Sequence, residues 1–353
     1  MRITKILRLF VLFLIAALLV FVGAFYWWKG FPVSPSKKPI PFEIRPGGLQ
    51  NVIGQLNSQG IPVNATLFEL LVRINGNATR LRAGFYELPP GETPDKLMDR
   101  LVRGLHSYES ITIIEGWTVK QMRNAIDNHP SLKGDTDHLT DAELAKALGI
   151  DRKETEGLFF PNTYFFGRGS SDMVIFRQSH NMLMKKLNDY WEARDRTLPY
   201  KTAYEALIMA SIVEKETGLQ SDRGTIAGVF TNRLRIGMKL QTDPTVIYGM
   251  GDKYKGIIYK SSLVTDTPYN TYTRFGLPPT PIALVGEAAL RATFHPENTQ
   301  ALYFVSRGDG SSEFSTNLSD HNKAVFKFLR DPNRPGAQGR TDASESPDEA
   351  DDS

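Results

Sequence analysis

A chain of 353 residues, 41% of them hydrophobic, can bury the cores of two domains. Its 42 Lys and Arg against 39 Asp and Glu leave a net charge of only +3, which excludes the strongly basic balance of a nucleic-acid binder. The absence of cysteine excludes disulfides and thiolate metal sites, and six histidines without an HExxH-type pair give no zinc signature, so neither metal nor cofactor is expected.

Residues 9–28 form an uninterrupted apolar run of about 20 residues, the length that spans a bilayer. Arg2, Lys5 and Arg8 precede it, and Tyr26, Trp27 and Trp28 close it as an interfacial aromatic belt. A cleavable signal peptide would have a shorter apolar region, about 7–15 residues, and an Ala-x-Ala-like site, which this stretch lacks. An uncleaved single-pass anchor in the inner (cytoplasmic) membrane is expected, with residues 1–8 cytoplasmic and the rest extracytoplasmic. Lys29, Lys37 and Lys38 beyond the belt reduce the charge asymmetry behind that orientation. Pro32, Pro35, Pro39 and Pro41 make residues 29–41 read as a stiff spacer.

From 42 to 104, strand and helix patterns alternate. A strand at 42–45 leads to a helix with apolar positions 49, 52, 53 and 56, then a second helix over 67–74. A strand at 84–88, a turn at Pro89-Pro-Gly-Glu and a short helix over 95–102 complete the module. It resembles a LysM-type glycan-binding subdomain, and a purely structural module fits the pattern nearly as well. Residues 109–114 then read as a strand, followed by Glu115-Gly-Trp-Thr and a helix from Val119. Over 139–149 a helix is expected, with Thr140 as N-cap and Glu143 completing a capping box. The aromatic stretch Glu156-Gly-Leu-Phe-Phe-Pro-Asn-Thr-Tyr164-Phe-Phe suits either a core or a platform for apolar sugar faces. A long amphipathic helix covers 174–194.

The stretch 206–218, Ala-Leu-Ile-Met-Ala-Ser-Ile-Val-Glu-Lys-Glu-Thr-Gly, reads as a helix apolar almost all round, which implies burial. Gly218 is its expected C-cap. At about 100° per residue, Glu214 shares a face with Ala203, Leu207, Ala210 and Ser211, while Glu216 points the opposite way. A carboxyl on an apolar face is disfavoured as an anion, which suits a general acid; a simple ion pair with an arginine is the other reading. Glu216 reads as a solvent-facing residue or a salt-bridge partner of Lys215 or Arg223.

Beyond it, residues 226–234 have helical spacing. Gly237–Gly249, Tyr269-Asn-Thr-Tyr272 and Gly276-Leu-Pro-Pro279 follow, then a helix near 287–293 and a strand over 301–305. Asn, Gln, Thr and Tyr are dense in these loops and can line a neutral polyhydroxyl site, although each alone also serves turns and caps. The residues from 331 to 353 are Pro-, Gly-, Ser- and acid-rich and read as a disordered tail.

Several segments together resemble one family, the membrane-anchored endolytic murein transglycosylases (YceG-like). They are Ala210-Ser-Ile-Val-Glu-Lys-Glu-Thr217, Asn232-Arg-Leu, Leu240-Gln-Thr-Asp-Pro-Thr-Val-Ile-Tyr-Gly249, Tyr269-Asn-Thr-Tyr272, Gly276-Leu-Pro-Pro279 and Asn317-Leu-Ser-Asp-His-Asn322, with Glu115-Gly-Trp-Thr and the 156–164 stretch. The resemblance implies an α+β architecture: a transmembrane helix at 9–28, a LysM-like subdomain at 42–104 and a mixed α/β catalytic domain at 105–330. It implies cleavage of the MurNAc-β-1,4-GlcNAc bond inside (nascent) glycan strands, leaving a 1,6-anhydro-MurNAc end, with Glu214 as the single acid/base. It also implies glycan strands as partner, with peptidoglycan synthases as further candidates. Gln241, Asp243, Tyr248, Tyr269, Asn270 and Asn317 become candidate substrate-binding residues, each with a structural role as the alternative. Two rival readings remain: a muramidase using Asp243 as second carboxylate, and a non-catalytic membrane-tethered glycan-binding scaffold. Aminodeoxychorismate lyase chemistry is set aside because no phosphate-binding loop for pyridoxal phosphate is present.

Overall fold

The computed structural model describes residues 2–216 and 219–330. Two compact units divide the chain: residues 1–110 with 130–133 and 165–170, and residues 111–129, 134–164 and 171 onward.

The first unit begins with α1 (Arg2–Lys29), whose portion Leu7–Lys29 is long and apolar enough to cross a membrane. Then come β1 (Ile40–Ile44), α2 (Leu49–Ser58), α3 (Ala65–Ile74), β2 (Gly84–Leu88) and α4 (Pro94–Arg103). Antiparallel pairing sets Phe42 opposite Tyr86 and Ile40 opposite Leu88. Alternation along each strand therefore turns Phe42, Ile44, Tyr86 and Leu88 to one face. That face meets Val52, Ile53 and Leu56 of α2, Phe68 and Leu71 of α3, and Leu97 and Leu101 of α4 in one core. Asn64 and Thr93 start their helices by accepting from the backbone N–H groups of Leu67 and Lys96. Gly104, in the left-handed conformation, ends α4. The stretch expected to act as a spacer is partly packed: Val33 is buried, its N–H donates to Glu92 O, and Phe25 from the end of α1 joins the same core.

Further along lie β3 (Tyr108–Thr112), α5 (Val119–Asp127), α6 (Asp141–Leu148), β4 (Thr163–Gly167) and α7 (Met173–Ala193). The second unit continues with α8 (Ala203–Glu216), α9 (Arg223–Arg235), α10 (Asp243–Met250), α11 (Lys260–Val264), α12 (Glu287–Phe294), β5 (Tyr303–Ser306), β6 (Ser312–Ser315) and α13 (Leu318–Val325). Its sheets are two-stranded, β5 pairing antiparallel with β6, so the core is built by helices. At the centre is α8. Every residue from Ala206 to Val213 is buried, and α7, α9, α10 and α12 pack around it. Thr202 Oγ1 accepts from Glu205 N at its start, and Glu205 reaches back to Lys201 N. Gly218, its expected cap, and the tail 331–353 lie outside the described residues.

The helix α10 has no amphipathic pattern to announce it. Asp243, Pro244 and the β-branched Thr245, Val246 and Ile247 are poor helix formers, and packing on α8 overrides that preference. Most of the aromatic stretch is core: Phe159, Phe160, Tyr164 and Phe166 are buried, with Tyr164 Oη donating to Phe160 O at 2.6 Å, while Phe165 is exposed. The buried rings offer no open sugar platform.

Candidate active site

The extended stretch 280–286 runs beside α8 and is fastened to it at two points one helical turn apart. Ile282 N donates to Ser211 Oγ at 3.0 Å, and Gly286 N donates to Glu214 Oε2 at 2.9 Å. Glu214 is thus held by a backbone donor at the N-cap of α12, with the rest of its side chain half-buried. Burial raises its carboxyl above the usual range; the Gly286 bond opposes this, and the Glu115 carboxylate adds to it. The positive charges of Arg223 and Lys215 also oppose it.

Glu115 closes the site from the other side. The turn Glu115-Gly-Trp is tied to the same stretch by Gly116 N donating to Leu284 O (2.9 Å) and Leu284 N to Trp117 O (2.7 Å). Its carboxylate lies flat on Gly286, where any Cβ would stand 2.1 Å from Glu115 Oε1. Only glycine permits that approach. Two carboxylates therefore flank one glycine, one accepting from its N–H and the other resting on its Cα.

Two further carboxyls sit deeper. Glu156 is buried, and its Oε1 accepts from Val119 N at 3.0 Å and Gly157 N at 3.3 Å; Tyr248 Oη donates to Oε2 at 3.2 Å. Val119 opens α5, so the carboxyl faces a helix N-terminus. Desolvation nonetheless wins and pushes it up to about 7. The chain can turn there because Gly157 has φ +74° and sits where a Cβ would be 2.3 Å from Pro281.

Glu216 departs from expectation. It is not a surface partner of Lys215 or Arg223, because the other side of α8 is covered too. Thr242 Oγ1 donates to it at 2.7 Å, and burial pushes it up to about 7, with Asp243 adding and Arg233 opposing. Arg233 is itself buried, spending its guanidinium on Leu302 O and Leu240 O at 2.6 Å each.

The sequence-derived candidates fall into two groups. Gln241, Asp243, Tyr248, Tyr269 and Asn270 come together around α10. Gln241 is exposed, holds φ +47°, the left-handed region costly for a side chain, and donates its N–H to Thr271 O. Asp243 accepts from Tyr272 Oη at 2.6 Å, and its charge adds to the upward shift of Glu216. Tyr248 and Tyr269 meet edge to face with centroids 4.8 Å apart, and Tyr269 shares a 2.9 Å hydrogen bond with Thr280 at the start of the 280–286 stretch. Asn270 is fully buried, its amide nitrogen donating to the carbonyls of Ser262, Leu263 and Thr265 and its oxygen accepting from Tyr272 N. That committed amide shapes the loop. Asn317 stands in the second group as N-cap of α13, accepting from Asp320 N at 2.9 Å. Sequence reasoning missed Gly286 and gave no role to Glu115; the only signal was a carboxylate followed by Gly-Trp.

The model of the YceG-like family matches residues 42–327. The chain belongs to the YceG-like family. It is 32% identical over 338 residues to a Bacillus subtilis (strain 168) protein named endolytic murein transglycosylase, covering 89% of this chain and 92% of that one. A Streptococcus pneumoniae protein of the same name is 27% identical over 332 residues, covering 83% of this chain but 59% of its own greater length. The crystal structure of a yceG-like protein from Listeria monocytogenes, 32% identical, matches 82% of this chain and all of its own with a TM-score of 0.52.

Proposed function

We propose that this YceG-like chain is an endolytic murein transglycosylase with Glu214 as its single acid/base. The observation that carries the reading is a half-buried carboxyl, raised by burial and a neighbouring carboxylate, on a backbone donor at the end of the central helix. Protonated Glu214 gives its proton to the glycosidic oxygen as the C1–O bond of MurNAc breaks and GlcNAc leaves. As a carboxylate it then takes the proton of the MurNAc C6 hydroxyl while that oxygen bonds to C1, closing the 1,6-anhydro ring. Proton and bonds balance without water, so no second carboxylate is needed to activate one. Gly286 N–H steadies the carboxylate formed midway. Glu115 favours the protonated form at the start.

Family likeness supports murein as substrate, and the loops around α10 supply polar groups for it. The strained Gln241, beside Asp243 and the Tyr248–Tyr269 pair, suits contact with N-acetyl groups, while Asn270 and Asn317 hold their loops in place. The β–α–α–β order of the first unit, with its strands antiparallel, supports a LysM-like glycan-binding role for it. The apolar helix supports a single-pass anchor with the catalytic unit outside the cytoplasm, near strands being made and within reach of their synthases.

Mass spectrometry of murein incubated with the full chain in detergent, beside Glu214→Gln, tests the reading. Internal fragments ending in 1,6-anhydro-MurNAc, absent with the variant, are expected. Reducing ends, heavier by one water, would instead require a second carboxylate. Equal products from both proteins would remove Glu214 from the chemistry.

A further inference from the structure

Of the carboxyls around the site, Glu156 takes no part in the proton transfer proposed above. It is buried, and among the described residues no cation pairs with it. Its partners are the backbone N–H groups of Val119 and Gly157 and the hydroxyl of Tyr248. A buried carboxyl without a counter-charge costs stability, so its place is explained by what it holds rather than by what it adds to the core. Each partner leads to the same stretch, 280–286. Val119 follows closely on the turn Glu115-Gly-Trp, which is paired with Leu284 in both directions, Gly116 N donating to Leu284 O and Leu284 N to Trp117 O. Gly157 rests on Pro281, with Ala283 O only 3.3 Å from where a Cβ would stand. Tyr248 packs edge to face on Tyr269, whose hydroxyl shares a 2.9 Å hydrogen bond with Thr280. At the far end of the stretch Gly286 donates to Glu214 and carries the Glu115 carboxylate against its Cα.

We propose that Glu156 is a positioning residue for Glu214. Its carboxyl joins the turn, the stretch and α10 at one point, and so fixes where the Gly286 N–H and the Glu115 carboxylate meet the acid. The inference rests on the cleavage reading above and gives Glu156 no contact with substrate. An error of about 1 Å at a reacting group costs about 100-fold in rate. Because Glu156 touches the acid's surroundings and not the sugar, the loss falls mainly on kcat rather than on KM.

The test measures kcat and KM for release of 1,6-anhydro ends from murein by the full chain in detergent, with folding followed by tryptophan fluorescence. Glu156→Ala is expected to lower kcat by about 100-fold with KM within about twofold. Glu156→Gln, which keeps an acceptor for Val119 and Gly157, should recover about tenfold of that loss. Val119→Pro covers the case in which Glu156→Ala unfolds the protein. Proline suits the first position of a helix, deletes the N–H given to Glu156 and leaves the carboxyl in place; kcat should fall by about tenfold. A purely structural carboxyl would change the folded fraction and leave the couplings within the site alone. The deciding readout is therefore a cycle with Gly286→Ala. That substitution, costing about tenfold in the wild type, should cost about twofold or less in Glu156→Ala, where the geometry it spoils is already lost. An equal cost in both backgrounds overturns the proposal, as does an unchanged kcat in Glu156→Ala or Val119→Pro. Absence of cleavage by the wild type would bring down the cleavage reading, and this assignment with it.

Discussion

Replacing Glu156 by Gln tests whether a buried carboxyl makes the fold sensitive to pH. The folded-state value stands at about 7 against 4.5 for a free side chain, because burial outweighs the donors from Val119, Tyr248 and Gly157. A raised value means that the folded protein holds the proton more tightly than the unfolded chain does. This contribution to stability is fully present below pH 4.5, declines as pH rises, and is gone above about 7. A rise of this size is worth about 3 kcal/mol. Glutamine keeps the oxygen that accepts from Val119 N and Gly157 N and offers its amide to Tyr248 Oη, so the packing survives while the titration disappears. Urea unfolding of the full chain in detergent, followed by tryptophan fluorescence from pH 4.5 to 8, measures the difference. The wild type should lose stability across this window. Glu156→Gln should lose about 3 kcal/mol less, with Glu216, also raised to about 7, supplying the remaining slope. Parallel profiles for the two proteins would refute the reasoning.

Other substitutions probe the site itself. Gly286→Ala places a methyl 2.1 Å from Glu115 Oε1, so the Glu115 carboxylate must swing away; cleavage should fall by about tenfold or more with Tm little changed, checked by muropeptide release and thermal unfolding. Glu115→Gln removes the charge that helps to raise Glu214, so the high-pH limb of kcat/KM, where the acid loses its proton, should move to lower pH. A pH–rate profile reads this directly. Asn270→Ala strips three carbonyls and one backbone N–H of their buried partner and should cost about 3 kcal/mol in urea unfolding.

The first unit was largely legible in the sequence because its apolar positions keep strict periods. The strand expected at 84–88 matches β2, and the helices expected at 67–74 and 95–102 lie within α3 and α4. The place of Glu214 in the last turn of a helix buried all round was legible for the same reason. Glu216 was misread because a helical wheel gives direction but not what waits there, and Thr242 and Arg233 come from segments 26 and 17 residues away. The aromatic stretch could not be decided from the chain, as a ring buried in a core and a ring facing a sugar look alike in sequence. Glu115 gained its place through a glycine 171 residues later, a pairing that no local pattern encodes.

The packing of Phe25 and Val33 into the core of the first unit has a mechanical meaning. A loose leash would let that unit wander at any height and angle above a bilayer, whereas a helix end built into its core works as a handle without play. A tilt of α1 is therefore a tilt of the whole unit.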